Sequence, residues 1–561
     1  MTAELIAVPG LVLVAGGMVL PLLRGHVRSA WLLAVPLATL WAVWQVPDGI
    51  ALRSSLMGYE LAIVQGDKIA RLFATVFAVM AFAGGLFALR QPRDLELGAA
   101  YVYAGGSIGV AFAGDLLTLF VFWEVMAIAS TIVVWCGGKQ ARGAGLRYAF
   151  IHILGGVLLM TGIAGEVAAS GTTAFRTMDA STLPRLLILA GFLVNAGAPP
   201  LSAWLPDAYP EASWSGMVFL SAFTTKTAVL VLLRGFPGTE LLVWAGLFMV
   251  FYGIIYAILE NDMRRILAYS IVNQVGFMVT GVGIGTEMAL NGAAAHAFTH
   301  IFYKALLLMS AGSVLLMTGK RKCTDLGGLF RTMPVTAACG IIGALAISSF
   351  PLTSGFVSKS MISQGAADEH LAVVWFLLAA ASAGVFLHAG IKFPWFVFFQ
   401  EDSGLRPSEP PWNMRAAMIL LAAICIGLGI APQWLYALLP FDVSFVPYTA
   451  SHVVSQLQLL LFSGLAFFMM LGWLKRTLTI TLDVDWLWRR LGPRVLRGLD
   501  AIAERAWTAL VSQFWHRADR LKSLLSRHHG PEGVLGRTWP TGTMAFWTTI
   551  MLGAYLLLAY I

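Results

Sequence analysis

The chain has 561 residues, of which 58% are hydrophobic and 12% are charged, whereas soluble domains carry about a quarter charged residues. The apolar residues occur in blocks of about 20, the length of a helix that spans a bilayer, and not in the short alternating segments of a membrane barrel. These properties exclude a soluble protein and indicate an all-α polytopic membrane protein. The net charge of +8 comes from basic residues between the blocks, so it indicates basic membrane-flanking loops and no nucleic-acid partner.

The sequence contains no motif for a bound cofactor. Its four cysteines form no Cys-x-x-Cys pair, and no glycine-rich phosphate loop precedes a helix. We therefore expect no iron–sulfur cluster, no metal site, no nucleotide and no other cofactor. The first apolar block lacks a basic leader and a small-residue cleavage motif, so we expect a retained helix and not a removed signal peptide.

Hydropathy predicts about sixteen membrane-spanning helices. In chain order they lie at residues 4–23, 29–47, 69–89, 97–115, 116–136, 148–168, 186–200, 214–233, 241–259, 266–285, 290–317, 334–365, 371–399, 413–435, 455–474 and 542–560. Lysines and arginines concentrate in the loops that follow odd-numbered spans, such as Arg264 and Arg265 after the ninth span. The positive-inside rule places these loops in the cytoplasm and both termini outside. We expect a multi-pass protein of the bacterial inner membrane.

Residues 483–528 differ from the spans because they are rich in arginine and lysine. Their apolar residues recur at helical spacing, which indicates a basic amphipathic helix along the cytoplasmic face, kinked near Gly492 and Pro493. A soluble connector helix is the alternative interpretation. A final span follows, so the segment resembles a brace along this protein or a neighbouring subunit.

Ionisable residues inside apolar spans cost several kcal/mol and are functional candidates. Along this chain they are Asp115, Glu124, His152, Lys226, His296, His300, Lys304, Lys359, His388 and Lys392. A single buried histidine is most simply a packing residue. A series of acids and bases in successive spans favours a proton path, because a carboxylate paired with a lysine in a low dielectric can hold or release a proton when its partner moves.

His296, His300 and Lys304 follow one another at i, i+4 and i+8, so they share one helix face. Two histidines at this spacing can bind a metal ion, but no glutamate follows the first one as in the HExxH zinc motif. We therefore favour a polar stripe that carries protons and expect no metal.

Two spans are interrupted by prolines. Residues 195–213 contain four prolines, and residues 347–359 contain Pro351 and Gly355. Proline removes a backbone donor, and broken backbone at membrane depth persists only beside protein or water, so we expect both segments to line hydrated cavities. The breaks fall in spans seven and twelve. An offset of five spans makes two successive repeats inverted, as in many transporters.

Several motifs in this order resemble one known family. They are FWEVM, WLPDAYPEA, LSAFTTKTAVLVLLRG, ENDMRRILAYSIVNQVGFM, HAFTHIFYKALLLMSAGSV and PLTSGFVSKSMI. They resemble the antiporter-like subunits of Mrp-type multisubunit cation/proton antiporters and of respiratory complex I. The motifs are most similar to the D-type member of the Mrp group. The basic helix and last span are more similar to the distal antiporter-like subunit of complex I.

The resemblance implies a core of fourteen helices with two inverted five-helix repeats that contain broken helices. A C-terminal amphipathic surface helix and a final transmembrane anchor would follow this core. The resemblance also implies the residues that translocate protons. They are Glu124 in span five, Lys226 in span eight, His296, His300 and Lys304 in span eleven, and Lys359 in span twelve.

The first half departs from the family pattern at Asn195, where a lysine is common. Because asparagine cannot carry a proton as a cation, we hypothesise that Glu124 has Lys226 or His152 as its partner. Asp115 would add a second acid beside Glu124. Asp207 and Glu211 either act at a proton entrance or cap the next helix, and the sequence leaves both interpretations open.

The predicted organisation has six parts. They are N-terminal transmembrane helices (1–95), a first inverted repeat (96–235), a second inverted repeat (236–400), peripheral transmembrane helices (401–476), the basic amphipathic surface helix (477–535) and the C-terminal anchor (536–561).

The predicted function is that of a proton-translocating subunit, most like the D-type member of an Mrp-type Na⁺/H⁺ antiporter. A proton-pumping subunit of a complex I-like redox complex, without a redox centre of its own, is the alternative, so enzyme membership stays open. A mainly structural subunit is a further alternative, and energy-coupled uptake of inorganic carbon is a minor one. The expected partners are other integral membrane subunits, the lipid bilayer, protons and Na⁺.

Overall fold

The computed structural model describes residues 8–474 and 483–561. The chain divides into two units, Met1–Asp485 and Trp486–Ile561, and each is described by itself.

The first unit consists of helices joined mostly by short loops, with one β-hairpin near its beginning. Its elements are α1 (Pro9–Val19), α2 (Gly25–Gln45), β1 (Gly49–Leu56), β2 (Tyr59–Gly66), α3 (Lys68–Phe87), α4 (Asp94–Phe112), α5 (Leu116–Trp135), α6 (Ala141–Ser170), α7 (Leu183–Ala196), α8 (Trp204–Ala208), α9 (Gly216–Ala222), α10 (Thr224–Gly235), α11 (Glu240–Leu259), α12 (Met263–Ile284), α13 (Glu287–Thr318), α14 (Pro334–Ile347), α15 (Ser354–Asp368), α16 (Ala372–Val385), α17 (Trp412–Ile430), α18 (Gln433–Tyr436) and α19 (Ala450–Met469). Short 3₁₀ turns occur at Leu20–Leu22, Tyr209–Glu211, Cys323–Asp325 and Leu329–Arg331, and π-helical turns follow α16 at Phe386–Lys392 and Trp395–Phe399.

The helices confirm the predicted spans. Thirteen helices of the described residues are long and apolar enough to cross a membrane, and three shorter helices are also apolar. Every predicted span overlaps at least one of them. Residues 4–7 of the first predicted span, and residues 475–482 after the fifteenth, lie outside the described residues.

A β-hairpin between spans two and three was not predicted. Strands β1 and β2 pair antiparallel, with Leu56 opposite Tyr59. The two residues between them, Met57 and Gly58, both have positive φ angles (51° and 86°), as tight hairpin turns require. Methionine is an uncommon residue for such a turn, which is why the sequence pattern contained no hairpin signal here.

Both predicted helix breaks are present. Helix α7 ends at Gly197, which has a φ of 76°. The next long helical stretch begins with α9 at Gly216 and continues into α10. The second break separates α14 from α15, and Ser349 and Leu352 within it have positive φ angles of 58° and 67°. Most residues of the two breaks are buried or half-buried, while Pro200 and Leu352 are exposed, and broken backbone in a membrane is tolerated beside protein or water.

Three helical segments are covered by protein on all sides. Residues 215–233 of α9 and α10, residues 266–283 of α12 and residues 289–314 of α13 are buried without exception. A helix that is apolar and covered all round lies inside a bundle. The helices that carry Lys226 and the histidine pair are therefore central, whereas α5, which carries Glu124, has an exposed face.

The second unit contains a long polar helix and a short apolar one. Helix α20 (Gly492–His529) has 38 residues, so it is about 57 Å long at 1.5 Å per residue. A π-helical turn at Leu487–Leu491 precedes it, and the predicted kink near Gly492 and Pro493 stays a prediction. Helix α21 (Thr541–Tyr560) corresponds to the predicted last span.

Arg264 holds the loop between the broken seventh span and α9. Its guanidinium group is buried and donates hydrogen bonds of 2.8 Å to the carbonyl oxygens of Pro210, Ala212 and Ser213. Arginine suits this position because its fork of donors stays charged and fixed in geometry. One side chain from the second predicted repeat thus fixes the connection inside the first.

We expect Arg264→Met to destabilise the protein by about 3 kcal/mol or more, because three buried carbonyl groups would lose their donors. The measurement is the apparent melting temperature of the purified protein, with Arg142→Met, at an exposed position of α6, as the control. Equal melting temperatures for the two variants would contradict this role of Arg264.

Candidate functional site

Glu124 lies where α5 packs against α6. Its Oε1 atom is buried and accepts no hydrogen bond from any described residue. A Cβ atom built at Gly156 of α6 would lie only 2.3 Å from this oxygen. The glycine therefore makes room for the carboxyl group, and no larger residue fits there without moving Glu124.

Neither predicted partner of Glu124 directs its hydrogen bonds to this carboxyl group. His152 Nδ1 donates to Asn195 Oδ1 at 2.9 Å. Lys226 Nζ donates to the Ser221 carbonyl oxygen at 2.6 Å and to Thr225 Oγ1 at 3.1 Å. The Glu124 partnership thus stays a prediction, and any proton exchange between these residues needs intermediate groups.

Asp115 is a helix cap. Its carboxylate accepts the backbone N–H groups of Leu117 and Thr118 at 3.0 and 2.8 Å and the Thr118 hydroxyl at 2.7 Å. Nine residues of helix separate it from Glu124, which is about 13 Å at 1.5 Å per residue. The expectation of a second acid beside Glu124 is therefore wrong, because the carboxyl group is used to begin α5.

Asp207 and Glu211 are held by arginines and do not cap the next helix. Asp207 forms a bidentate ion pair with Arg147, in which Nε and Nη2 of the arginine donate to the two carboxylate oxygens at 2.6 and 2.8 Å. Glu211 binds Arg321 at 3.0 Å. Helix α9 begins after Ser215 without a side-chain cap. The capping interpretation is wrong, and the role at a proton entrance stays a prediction.

The histidines of α13 form the centre of the polar series. His296 is buried between Gln274, which faces Nε2 at 3.0 Å, and Ser358, which faces Nδ1 at 3.2 Å. His300 is also fully buried, and neither of its ring nitrogens has a hydrogen-bond partner among the described residues. The ring centroids of the two histidines are 6.2 Å apart, so the structure confirms that they share one face of the helix.

The buried lysines around these histidines bind neutral oxygen atoms. Lys304 Nζ donates to Ser270 Oγ at 2.7 Å. Lys359 Nζ donates to the Ile347 carbonyl oxygen, at the second helix break, and lies 4.9 Å from the centre of the Phe277 ring. Helix α13 packs against both α10 and α15. The structure thus brings Lys226, His296, His300, Lys304 and Lys359 into one series through α10, α13 and α15.

Two further bases lie on the π-helical stretch after α16. His388 Nδ1 bonds to the Gly384 carbonyl oxygen at 2.9 Å, and its Nε2 atom is buried without a partner among the described residues. Lys392 donates to carbonyl oxygens at the end of α11, those of Ala257 and Glu260 included. π-Helical turns occur frequently at functional sites.

The sequence analysis missed the polar residues that hold these bases. Gln274 and Ser270 are one helical turn apart on α12, and Ser358 precedes Lys359 on α15. The sequence pattern that could have indicated Ser270 and Gln274 is their i, i+4 spacing within a largely apolar span, which places the two side chains on one helix face. In the described part of the chain, no group of three metal-ligating side chains comes together.

Comparisons with known proteins show which family this chain resembles. Residues 113–386 match the family described as "NADH:quinone oxidoreductase/Mrp antiporter, TM". The D subunit of the Na⁺/H⁺ antiporter of Alkalihalophilus pseudofirmus is 30% identical over 428 residues, which cover 70% of this chain and 82% of that protein. The chain belongs to this family.

This chain is also similar to a further member of the family and to a solved complex. The N subunit of NADH-quinone oxidoreductase of Desulforudis audaxviator is 31% identical over 330 residues, which cover 54% of this chain and 65% of that protein. The structure of the Mrp complex from Dietzia sp. matches 92% of this chain and 63% of its own chain, with a TM-score of 0.76 and 22% identity. At that identity the match establishes the shared fold.

We expect Gly156→Ala to reduce transport. The new methyl group would displace the Glu124 carboxyl group by about 1 Å, and misplacements of that size cost up to about a hundredfold in rate. The measurement is ion-coupled proton flux in membrane vesicles that contain the complete complex. The control is Gly143→Ala, at an exposed position on the same helix where an added Cβ atom would lie 3.4 Å from the nearest atom, Arg147 Nη1. Equal flux in both variants would contradict the placement of Glu124.

Asp115→Asn and Asp115→Ala separate capping from acid chemistry. Asparagine also caps helices, so we expect Asp115→Asn to keep both stability and transport, whereas Asp115→Ala loses about 1 kcal/mol of stability. Melting temperature and flux are measured on both variants. A strong loss of flux in Asp115→Asn alone would show that the charge itself is required.

Proposed function

We propose that this chain is a proton-translocating, antiporter-like subunit of a multisubunit membrane complex, most like the D-type member of an Mrp-type Na⁺/H⁺ antiporter. The observation that carries this proposal is the series of buried bases on α10, α13 and α15, which runs through the covered interior of the described residues. The likeness to a protein named as the D subunit of a Na⁺/H⁺ antiporter, over 82% of its length, supports the same function.

The series is suited to moving a proton because its members are bases held by neutral oxygens. Lysine and histidine release a proton readily in a low dielectric, whereas arginine stays charged. In such surroundings two neighbouring cations repel each other strongly. A proton that arrives at Lys226 therefore lowers the proton affinity of Lys304. This repulsion favours stepwise proton transfer along the series.

The basic loops bear on the orientation of the chain in the membrane, and the exposed apolar faces bear on its partners. We propose that the basic loops face the cytoplasm of a bacterial inner membrane, as the positive-inside rule predicts. The exposed apolar faces of the outer helices would contact lipid and other membrane subunits. The exchanged cation would be Na⁺, moved against protons.

A second candidate function is a proton-pumping subunit of a complex I-like redox complex. It is supported by the likeness to a protein named as the N subunit of NADH-quinone oxidoreductase and by the long helix α20 and last apolar helix of the second unit. Both candidates use the same core, so the driving reaction distinguishes them.

The decisive experiment is purification of the native complex in a gentle detergent, with mass spectrometry of the co-purifying subunits. Small hydrophobic subunits alone would support the antiporter and make Na⁺/H⁺ exchange the next assay. Iron–sulfur or flavin proteins in the complex would overturn it in favour of the redox-driven pump.

We expect Lys226→Gln and Lys304→Gln to lower Na⁺-driven proton flux by about a hundredfold, because each removes a proton-transferring group. Flux is measured with a proton-sensitive dye in vesicles from cells without their own exchangers. Lys68→Gln, at an exposed position that begins α3, is the matched control. Unchanged flux in both buried variants would contradict a proton path through these lysines.

A further inference from the structure

The first half of the polar series has a gap between His152 and Lys226. Asn195 fills the position next to His152 and bonds to it, but an amide cannot carry a proton as a cation. Lys226 directs its hydrogen bonds to Ser221 and Thr225 and not to this pair. A proton that reaches His152 therefore needs other groups to reach Lys226.

A cluster of four hydroxyl groups fills this gap. Tyr103 on α4, Tyr148 on α6, Tyr209 in the 3₁₀ turn and Thr224 on α10 are all buried. The Tyr103 hydroxyl bonds to Thr224 Oγ1 and accepts the Thr224 backbone N–H at 2.7 Å. The hydroxyl groups of Tyr148 and Tyr209 lie near that of Thr224, and the Tyr148 hydroxyl donates its hydrogen to Ser130 Oγ at 2.9 Å. We call these four residues the hydroxyl cluster.

At one end of the hydroxyl cluster, the ring of Tyr148 packs against the ring of His152. The ring centroids of Tyr148 and His152 are 4.1 Å apart, and those of Tyr148 and Tyr209 are 6.4 Å apart. Because the Nδ1–H group donates its hydrogen bond to Asn195 Oδ1, the neutral ring presents Nε2 as a proton acceptor, and this atom is buried without a partner among the described residues. Gly156, beside the Glu124 carboxyl group, is one helical turn from His152, a separation of about 6 Å.

The other end of the hydroxyl cluster reaches Lys226. Thr224, Thr225 and Lys226 are consecutive at the beginning of α10, and Lys226 Nζ donates to Thr225 Oγ1 at 3.1 Å. The hydroxyl cluster therefore lies between the His152 ring and the residues that hold Lys226.

We propose that the hydroxyl cluster is a proton relay between His152 and Lys226, and that it replaces a second cation at position 195. This proposal rests on the function proposed above. A hydroxyl group is both donor and acceptor. Each oxygen accepts a proton from the preceding group and releases its own hydrogen to the next one, so one O–H bond forms as another breaks and every hydroxyl ends neutral. Rotation of the C–O bonds then resets the direction of the chain.

Tyr209 distinguishes this relay from a purely structural role. Its hydroxyl is buried and forms no well-aligned hydrogen bond with a described residue, so Tyr209→Phe removes no structural bond. If the cluster only packs, this variant transports as the wild type does. If the cluster is a relay, the variant interrupts it.

Tyr101→Phe is the matched control because it has the opposite properties. Tyr101 lies on α4, two residues before Tyr103, and is equally buried. Its hydroxyl bonds to the carbonyl oxygens of Leu32 and Ala81, away from the hydroxyl cluster. This variant loses structural hydrogen bonds without touching the relay.

The test measures melting temperature and Na⁺-driven proton flux for the complete complex in vesicles. We expect Tyr209→Phe and Tyr148→Phe to lower flux by roughly tenfold or more, with the melting temperature unchanged in Tyr209→Phe. Tyr101→Phe should lower the melting temperature and keep the flux.

Wild-type flux in Tyr209→Phe would overturn the relay and leave the proposed function standing. Absence of flux in the wild-type complex would overturn the proposed function, and the relay with it.

Discussion

The central lysines and histidines are buried without a carboxylate beside them in the described part of the chain, and this constraint shapes the rest of the structure. An isolated cation in a low-dielectric interior costs several kcal/mol, and that cost is reduced only by well-placed acceptors. Lys226 and Lys304 have threonine, serine and carbonyl oxygens around Nζ. Helices α10 and α13 therefore need neighbours on every side, and the outer helices provide them.

Arginine and lysine have separate tasks in this protein. Arg147 and Arg264 hold the connection around the broken seventh span, one through Asp207 and the other through backbone carbonyl oxygens. Arginine keeps its charge under all ordinary conditions and so fixes geometry, whereas lysine changes its protonation state readily when buried. Both arginines thus hold a connecting segment in place, whereas the buried lysines lie on the central helices.

The surroundings of the Glu124 carboxyl group depend on small and neutral residues. Gly156 leaves space for its carboxyl group, while Asn195 holds the His152 ring in one orientation. With asparagine there, the route towards α10 passes through hydroxyl groups, which need no charge of their own to pass a proton on.

The sequence by itself determined the spans, the two helix breaks and the identity of the buried bases. Hydropathy and proline are local properties read along one dimension, and the bilayer thickness sets the length of each apolar block. It also predicted that His296 and His300 share one face, because helical periodicity relates residues that are close along the chain. Only the tertiary structure decided that Asp115 is a cap, that Asn195 bonds to His152, and which residues surround Thr224. The Tyr103–Thr224 contact joins residues 121 positions apart, and such contacts depend on how helices pack against one another, which no local pattern contains.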